Sequence, residues 1–447
     1  MMSNKYPIYF IGIGGIGMSS LAQFFIKNGH TVGGYDLNLS EITEKLNDLG
    51  ARISNNDSLK SIPEVFKKNK NTLVIYTPAV PQDLSIIKFF KKKKFTIKKR
   101  AEVLGELSNG KKCIAVAGTH GKTSTSVLLS HILLESGKKI TSFVGGIYEN
   151  MKTNFISNGN DIVIIEADEF DKSFMHLNPD YIVLNSMDSD HLDIYGSHDE
   201  VISTYKQFSK KVKIENRYVR HGLKIKGRTF GIEKGEYKIS NVNFHNDKYF
   251  FDFESSKVKI KQISTNFYGK HNLLNIAAAI SVALKFDCSA NDILNSIKTF
   301  KGISRRFSIK LKTPKIIIDD YAHHPKEIDA VYDTLTEMYP TSRKLVVFQP
   351  HLFSRTKDFA NGFKSSLKKF DEIILLKIYP AREKSIEGIV SEILLDKKHN
   401  FSQVLDKNQV PEKVIESKSD VVVFLGAGDI YKITKEVVRK FKNLKSV

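Results

Sequence analysis

Short apolar runs alternate with helical patterns along the first part of the chain. Three of these runs predict strands: "PIYFI" (7–11), "HTVGGYD" (30–36) and "TLVIYTPAV" (72–80). One face of the helix expected after the first run carries Met18, Leu21, Ala22 and Phe25. Alternating buried strands and amphipathic helices are typical of a doubly wound α/β sheet, so we predict a first domain over residues 1–110.

A second pattern starts near Lys111 and extends to residue 301. Strands are predicted by "KCIAVAG" (112–118), "DIVIIEADE" (161–169) and "DYIVLNSMDSDH" (180–191). Polar residues crowd the carboxyl ends of these runs. The alternating stretch 212–265 predicts a small antiparallel β part, and "NLLNIAAAISVALKF" (272–286) predicts a return to helix.

From residue 302 to 447, four further apolar runs each lead into a polar loop. They are "KIIIDDYAHHP", "KLVVFQPHLFSR", "EIILLKIYPARE" and "VVVFLGAGDI". Ligands of open α/β sheets gather at the carboxyl ends of the strands. The chain is therefore predicted to be an α/β protein with domains 1–110, 111–301 and 302–447.

Composition and net charge exclude only a few classes of function. The chain has 447 residues, 41% hydrophobic and 26% charged, which is an ordinary globular composition. No apolar run is long enough to span a bilayer, and the N-terminus shows no signal-peptide pattern. The two cysteines, Cys113 and Cys288, lack a metal-ligand spacing, so we expect a reduced, cytoplasmic setting. The net charge of +20 comes from scattered lysines without interleaved aromatics, which predicts solvated faces and no nucleic-acid partner.

A glycine-rich loop, "GTHGKT" (118–123), lies between a predicted strand and a predicted helix. It is a short variant of the phosphate-binding loop, because Val116 stands where the full motif has another glycine. Backbone N–H groups and a helix N-terminus favour phosphate oxygens. Lys122 is expected to neutralise phosphate charge and Thr123 to bind Mg²⁺.

Two residues at neighbouring strand ends are candidates for a further Mg²⁺ contact. Glu166 ends the strand 161–166, and His191 follows the strand 181–186. A carboxylate and an imidazole beside the loop are suitable ligands for a second Mg²⁺ next to the γ-phosphate. The nearby acids leave the choice of ligand open: Asp168, Glu169 and Asp171.

A second glycine loop, near the N-terminus, satisfies the dinucleotide fingerprint. Gly12, Gly14 and Gly17 follow a strand and open a helix, and Asp36 lies 19 residues past Gly17. Taken alone, the loop favours NAD. Because the fingerprint reports a pyrophosphate on a helix N-terminus, a second nucleotide loop in the same chain favours a nucleotide-sugar substrate alongside ATP.

The ordered motifs resemble those of the Mur ligases of peptidoglycan synthesis over the whole chain. They are "GIGGIGMSSLA", "AVAGTHGKTS", "EADEFDKSF", "DHLDIYG", "GKHNLLNIAAA", "GISRRF", "DDYAHHP", "FQPHLFSRT" and "YPAREK". The resemblance implies three domains, a Rossmann-like UDP-sugar domain, a P-loop ATPase domain and a Rossmann-like amino-acid domain. It implies Mg²⁺- and ATP-dependent ligation of L-alanine to UDP-N-acetylmuramate, in cell-wall biogenesis and hence cell shape and division. The alternative within the family is a ligase that recycles a murein tripeptide onto the same sugar.

Site residues are carried over from the family motif by motif. The resemblance implies that ATP is bound by Gly118, Thr119, His120, Gly121, Lys122, Thr123, Ser124, Asn272 and Asn275. It implies that the UDP-sugar is bound by Gly12, Gly14, Gly15, Gly17, Met18, Ser19, Asp36, Thr77 and Arg100. It implies that Mg²⁺ is held by Thr123, Glu166 and His191. The remaining catalytic residues that it implies are Arg306, Asp320, His351 and Arg355.

Two departures from the family pattern affect these expectations. Leu352 stands where many relatives have an arginine, so Arg355 is expected to hold the alanine carboxylate with less help. Thr77-Pro78-Ala79 replaces a more hydroxyl-rich stretch, so hydroxyl contact to the UDP-sugar would depend on Thr77. We also expect a monomer or weak homodimer.

The residue types indicate a reaction through an acyl phosphate. The sugar carboxylate would attack the γ-phosphate of ATP, with repulsion offset by Lys122, two Mg²⁺ and Arg306. The amine of L-alanine would then displace phosphate. His351 is a candidate base for that amine. Two other classes remain open: an NAD oxidoreductase, which leaves residues 116–125 unexplained, and a P-loop switch or motor, which leaves the first loop unexplained.

Overall fold

The computed structural model describes residues 5–188, 195–381, 383–396 and 402–444. The chain divides into two compact units. The first comprises Met1–Asn243, Phe250–Thr265 and Leu273–Lys301, and the second comprises Phe244–Tyr249, Asn266–Asn272 and Gly302–Val447. The predicted α/β class is confirmed by three sheets with helices between their strands. The predicted domain limits at residues 110 and 301 stay predictions.

The first sheet has five strands in the order β3-β2-β1-β4-β5, and all its neighbours are parallel. Its strands are β1 (Ile8–Ile11), β2 (Val32–Tyr35), β3 (Arg52–Ser54), β4 (Leu73–Tyr76) and β5 (Thr96–Lys99). Its helices are α1 (Ile16–Lys27), α2 (Glu41–Asp48), α3 (Glu64–Lys68), α4 (Ser85–Lys92) and α5 (Arg100–Ser108). The predicted face of α1 is buried, because Met18, Leu21, Ala22 and Phe25 are each at most 2% exposed.

The second sheet has ten strands in the order β15-β14-β13-β12-β11-β10-β6-β9-β7-β8. Strands β6 to β10 are Lys112–Ala117, Ile140–Tyr148, Thr153–Ser157, Ile162–Glu166 and Tyr181–Leu184. Strands β11 to β15 are Arg217–Arg220, Arg228–Ile232, Tyr237–His245, Lys248–Glu254 and Lys259–Thr265. The accompanying helices are α6 (Lys122–Glu135), α7 (His198–Lys210), α8 (Lys270–Lys285) and α9 (Ala290–Thr299).

Strand direction differs from the expected antiparallel pairing over residues 217–239, and an antiparallel pair also lies outside the stretch 212–265. Strand β7 pairs with β8 in antiparallel orientation. In the stretch 212–265, by contrast, β11 pairs with β12, and β12 with β13, in parallel orientation. The alternating pattern there indicates one buried face, as in β14 with Tyr249, Phe251 and Phe253, and it does not fix strand direction.

The first two sheets share one hydrophobic core within the first unit. The Phe24 ring of α1 lies 5.6 Å from that of Phe143 in β7 and 6.2 Å from that of Phe155 in β8. Beside them, the Gln23 amide nitrogen donates to the Asn154 side-chain oxygen at 2.7 Å. This continuous packing fixes the first glycine loop relative to the second sheet.

The third sheet belongs to the second unit and has the order β16-β17-β21-β18-β19-β20. Its strands are β16 (Ser308–Leu311), β17 (Ile316–Asp320), β18 (Lys344–Phe348), β19 (Glu372–Leu375), β20 (Ser402–Val404) and β21 (Val421–Leu425). The β16–β17 pair is antiparallel and the others are parallel. Its helices are α10 (Pro325–Met338), α11 (Phe353–Asp358), α12 (Ala360–Leu367), α13 (Val410–Glu416) and α14 (Tyr431–Leu444). Apolar clusters cover both faces, as expected for continuously apolar strands.

Candidate active site

The first glycine loop joins β1 to α1, as predicted. Gly12 has φ +87°, a conformation that favours glycine, and its N–H donates to the Tyr35 carbonyl at 2.8 Å. Asp36, at the end of β2, accepts a 2.8 Å hydrogen bond from the Gly14 N–H. The acid of the fingerprint therefore holds the backbone of the loop in this structure.

Thr77 and Arg100 lie beside this loop, whereas two other predicted residues are packed away from it. A Cβ at Gly12 would be 2.7 Å from Thr77 Cγ2, and one at Gly17 would be 2.6 Å from Arg100 Nη1. Met18 is buried in the core, and the buried Ser19 hydroxyl donates to the Ile16 carbonyl at 2.9 Å. A ligand role for Met18 or Ser19 would therefore rest on backbone groups. The predicted contribution of Gly15 is likewise limited to its backbone.

The second glycine loop joins β6 to α6 in the predicted strand–loop–helix arrangement. Gly118 and Gly121 have φ +131° and +82°. A Cβ at Gly118 would be 2.8 Å from the Ser186 backbone nitrogen, and one at Gly121 would be 2.4 Å from Asn275 Oδ1. Both positions need glycine because of conformation and close approach. The loop thus presents backbone amides at the start of a fourteen-residue helix.

Polar residues after β10 hold this loop. The His120 N–H donates to Ser186 Oγ at 2.8 Å, and the Thr119 hydroxyl donates to the Asp188 carbonyl at 2.9 Å. The Asn185 amide donates to Thr125 Oγ1 at 2.8 Å. Asn185 and Ser186 were not assigned from the sequence, although they belong to the polar cluster that ends this predicted strand.

Lys122 is held by an acid that the sequence did not single out. Its Nζ lies 2.8 Å from Glu169 Oε1 and 2.7 Å from Oε2, and also donates to the Gly118 carbonyl at 2.8 Å. Burial lowers the pKa of Lys122, but the carboxylates of Glu169, Asp168 and Glu166 together outweigh burial, so this pKa is raised. Burial raises the pKa of Glu169 to about 7 in spite of the ammonium. Lys122 and Glu169 thus form a buried ion pair at the phosphate loop.

Thr123 and Glu166 lie together, as the metal prediction requires. The Thr123 hydroxyl donates to Glu166 Oε1 at 2.8 Å, and the Gly145 N–H donates to Oε2 at 2.7 Å. A hydroxyl and a carboxylate at the start of α6 are oxygen donors that suit Mg²⁺ with water completing its shell. His191 lies outside the described residues. Among the residues that are described, no cluster of three acidic, histidine or cysteine side chains is arranged to hold a metal ion.

The remaining predicted nucleotide residues are buried polar groups. Asn275 in α8 accepts from the Thr125 hydroxyl at 3.2 Å, so it contacts α6 directly. Ser124 is 6% exposed in the first turn of α6. Asn272 belongs to the second unit, where its amide donates to the Tyr268 carbonyl at 2.7 Å.

The second unit brings Arg306 and Asp320 together near the end of β17. The Arg306 guanidinium lies 5.2 Å from the centre of the Tyr321 ring. The Asp320 carboxylate accepts from the Phe307 N–H at 2.6 Å and the Ala322 N–H at 2.7 Å. Burial raises the pKa of Asp320 to about 6, although Arg306 and these N–H groups lower it. Asp320 therefore fixes the backbone that carries Arg306 and Tyr321.

Arg305, which the sequence analysis passed over, ties two strand ends together. Its guanidinium donates to the carbonyls of Gly426 and Gly428, after β21. The same group lies 5.0 Å from the centre of the Tyr321 ring and 5.1 Å from that of Tyr431. In the sequence, the only feature that points to a role for Arg305 is its position next to Arg306.

His351 and Arg355 lie together at the end of β18. Arg355 Nη1 is 3.5 Å from His351 Nδ1, and Arg355 is 6% exposed. The His351 ring stacks on Tyr379 with centroids 5.7 Å apart, and the His323 ring lies 6.0 Å away. Leu352 is buried, with φ +72°, and supplies no second positive charge. Tyr379 and His323 are aromatic neighbours that the sequence analysis did not assign.

In the part of the chain that the structure describes, every helix is too short or too polar to span a bilayer.

Comparison with known proteins identifies the family to which this chain is related. Three family models match in chain order: "Mur ligase family, catalytic domain" over residues 7–112, "Mur ligase middle domain" over 116–283 and "Mur ligase, glutamate ligase domain" over 305–428. The chain is 46% identical to the UDP-N-acetylmuramate–L-alanine ligase of Christiangramia forsetii, covering 94% of each chain. It is 47% identical to the ligase of the same name from Flavobacterium psychrophilum, covering 96% of each.

Solved structures agree with this assignment. The UDP-N-acetylmuramate–alanine ligase of Thermotoga maritima has a TM-score of 0.83 at 28% identity, covering 98% of this chain and 99% of that one. A murein peptide ligase from Psychrobacter arcticus shares the fold, with a TM-score of 0.71 at 20% identity, covering 97% and 98%. The motifs, the two loops and these matches together establish that the chain belongs to the Mur ligase family.

Proposed function

We propose that this chain joins L-alanine to the lactyl carboxylate of UDP-N-acetylmuramate in peptidoglycan precursor synthesis, with conversion of ATP to ADP and phosphate. The observation that carries the proposal is the presence, in one compact unit, of two glycine loops that each open a helix. Only one of them carries the lysine, threonine and neighbouring carboxylates needed for phosphoryl transfer. The first loop is therefore assigned to the UDP-sugar pyrophosphate and the second to ATP.

In the first step, the sugar carboxylate attacks the γ-phosphorus and ADP leaves, forming an acyl phosphate. Both reactants are anions, so their approach requires positive charge. We assign Lys122, on the second loop, to the β- and γ-phosphates, and Arg306 to the transferring group. Thr123 and Glu166 would hold Mg²⁺, with His191 as a further ligand predicted from the sequence. When bound, the metal would supply charge neutralisation at the phosphate oxygens.

In the second step, the neutral amine of L-alanine attacks the acyl carbon and phosphate leaves. We assign Arg355 to the alanine carboxylate, because a guanidinium binds a carboxylate through two parallel hydrogen bonds. We assign the amine proton to His351, which lies next to Arg355. Both cysteines are buried, and burial raises the pKa of Cys113 to about 12, which disfavours a covalent thiolate step.

The alternative, transfer of a murein tripeptide to the same sugar, has weaker support. The murein peptide ligase of Psychrobacter arcticus resembles this chain at 20% identity, a level that carries the fold alone. The relatives at 46% and 47% identity carry the L-alanine name. The proposal also includes Mg²⁺ as the metal, a cytoplasmic location and a monomeric or weakly homodimeric state. These three expectations are based on the sequence.

The acyl phosphate can be tested with isotope. UDP-N-acetylmuramate carrying oxygen-18 in the lactyl carboxylate is incubated with ATP, Mg²⁺ and L-alanine. The released phosphate is expected to contain one labelled oxygen, because a carboxylate oxygen leaves with the phosphoryl group. Reactions lacking each substrate in turn serve as controls. Unlabelled phosphate formed in step with the ligated product would contradict the mechanism.

A further inference from the structure

One short segment contacts the lysine of the second glycine loop and the arginine that lies beside the first. This acidic segment, residues 166–172 ("EADEFDK"), follows β9 and contains four carboxylates. Two of its residues, Asp171 and Lys172, have φ of +55° and +51°, which non-glycine residues rarely adopt. Such backbone persists only where surrounding contacts fix it, so the contacts of the segment indicate what its shape serves.

Toward the second loop, the acidic segment neutralises the phosphate-loop lysine. Glu169 is 3% exposed, and both its carboxylate oxygens lie within 2.8 Å of Lys122 Nζ. The Lys122 ammonium also donates to the Gly118 carbonyl. Nucleotide phosphates must therefore compete with Glu169 for this ammonium.

Toward the first loop, the residue before Glu169 makes a matching contact. Asp168 Oδ2 lies 3.3 Å from Nη2 of Arg100, whose Nη1 packs against Gly17. Asp171 Oδ2 lies 2.7 Å from Lys99 Nζ. The pyrophosphate of a UDP-sugar on the first loop must compete with Asp168 for Arg100, while the Lys99–Asp171 pair keeps the end of the segment attached.

Asp168 and Glu169 are consecutive, so a backbone shift at one of them displaces the other. We propose that the acidic segment couples the two loops: a UDP-sugar that draws Arg100 away from Asp168 weakens the hold of Glu169 on Lys122 and so strengthens binding of ATP phosphates. This inference rests on the proposed function of the two loops. Asp168 and Glu169 are positioning residues in this scheme, and coupling is reciprocal, so ATP strengthens UDP-sugar binding by the same factor.

The test is an equilibrium binding cycle with the full chain. The dissociation constant of a non-hydrolysable ATP analogue is measured with Mg²⁺, with and without saturating UDP-N-acetylmuramate. In the native protein we expect the sugar nucleotide to tighten analogue binding about fivefold or more, the lower range of typical coupling. Asp168→Asn is expected to bring this ratio within about twofold of one, and Asp168→Glu to restore part of it.

Two further variants keep the result interpretable. Glu200→Gln removes the exposed Lys172–Glu200 pair at the far end of the segment and is the matched control, expected to keep the native ratio. Glu169→Gln is expected to tighten analogue binding without UDP-N-acetylmuramate, since the competitor for Lys122 is lost, and to reduce the ratio. Thermal unfolding verifies that each variant is folded. If Asp168→Asn does not fold, the ratio measured for Glu169→Gln tests the coupling instead.

The outcomes separate this inference from the proposed function. If the native protein turns over and binds both ligands with a ratio of one, or if folded Asp168→Asn and Glu169→Gln both keep the native ratio, the coupling is overturned and the function stands. If the native protein does not bind UDP-N-acetylmuramate, the proposed function fails and the coupling fails with it.

Discussion

The Thr123 hydroxyl donates a 2.8 Å hydrogen bond to the Glu166 carboxylate, and this contact links the phosphate loop to the end of the neighbouring strand. The link follows from sheet order, because β9 pairs in parallel with β6, which leads into the loop. The second Glu166 oxygen accepts from the Gly145 N–H, and a Cβ at Gly145 would lie 2.6 Å from the carboxylate. Glu166 is thus oriented from two sides toward the start of α6.

Replacement of Glu166 by glutamine should sharply raise the Mg²⁺ concentration needed for phosphate release. The reason is loss of a charged oxygen ligand beside the transferring phosphoryl group. A Mg²⁺ titration of the initial rate measures the effect. The neighbouring acids Asp168 and Glu169 are engaged with Arg100 and Lys122, so Glu200→Gln, at an exposed acid of the same unit, is the matched control for the titration. An unchanged Mg²⁺ titration for Glu166→Gln would assign the metal to another acid.

Lys122→Ala should abolish phosphate release while UDP-N-acetylmuramate still binds within a fewfold of the native affinity. The lysine contacts the second loop and Glu169, whereas the first loop is built from β1 and α1. Phosphate release and calorimetric binding are measured on the same preparation. Lys152→Ala, at an exposed lysine of the same unit, is expected to behave as the native protein. Normal turnover by Lys122→Ala would remove the phosphate-loop assignment.

The pKa of Asp320, raised to about 6, predicts a pH dependence of stability. A carboxyl whose pKa is higher folded than unfolded stabilises the fold below about pH 4 and loses that contribution as pH rises through about 6. The shift corresponds to about 2–3 kcal/mol.

Asp320→Asn cannot ionise, so the stability of the native protein relative to this variant should fall between pH 4 and pH 7. Thermal unfolding midpoints of both proteins across this range measure it. A relative stability that rises with pH would contradict the assignment.

Arg355→Lys should raise the KM for L-alanine about tenfold and leave the KM for ATP within twofold. A point charge replaces a two-pronged donor, and one hydrogen bond to a charged group contributes about 1.5–3 kcal/mol. Buried Leu352 supplies no compensating charge. Arg343→Lys, at an exposed arginine of the same unit, is the control. Equal changes in both KM values would indicate a structural defect and not a lost carboxylate contact.

Local patterns predicted the parts of the fold that depend on neighbouring residues. The face of α1 and the two strand–loop–helix units follow from apolar periodicity and from glycines with positive φ at Gly12, Gly118 and Gly121. The end of a predicted strand also placed Glu166 near the phosphate loop, where it accepts a hydrogen bond from Thr123.

Contacts between distant parts of the chain could not be predicted in this way. The pairing of Lys122 with Glu169, the support of Glu166 by Gly145 and the tie from Arg305 to Gly426 depend on tertiary packing. Strand direction in 217–239 is equally hidden, since parallel and antiparallel strands bury the same alternate side chains. Met18 and Ser19 illustrate a different difficulty. Both belong to a motif expected to bind a ligand, but their side chains are buried in the fold.

The most direct test of the account compares amine donors. Phosphate release is measured with ATP, Mg²⁺ and UDP-N-acetylmuramate, and with L-alanine, glycine, L-serine or the murein tripeptide as the only donor. We predict the highest kcat/KM for L-alanine, with glycine and L-serine weaker. The margin over glycine should be modest, because one methyl group in an apolar pocket contributes about 1–3 kcal/mol. Ligation of the tripeptide far faster than L-alanine would contradict the account.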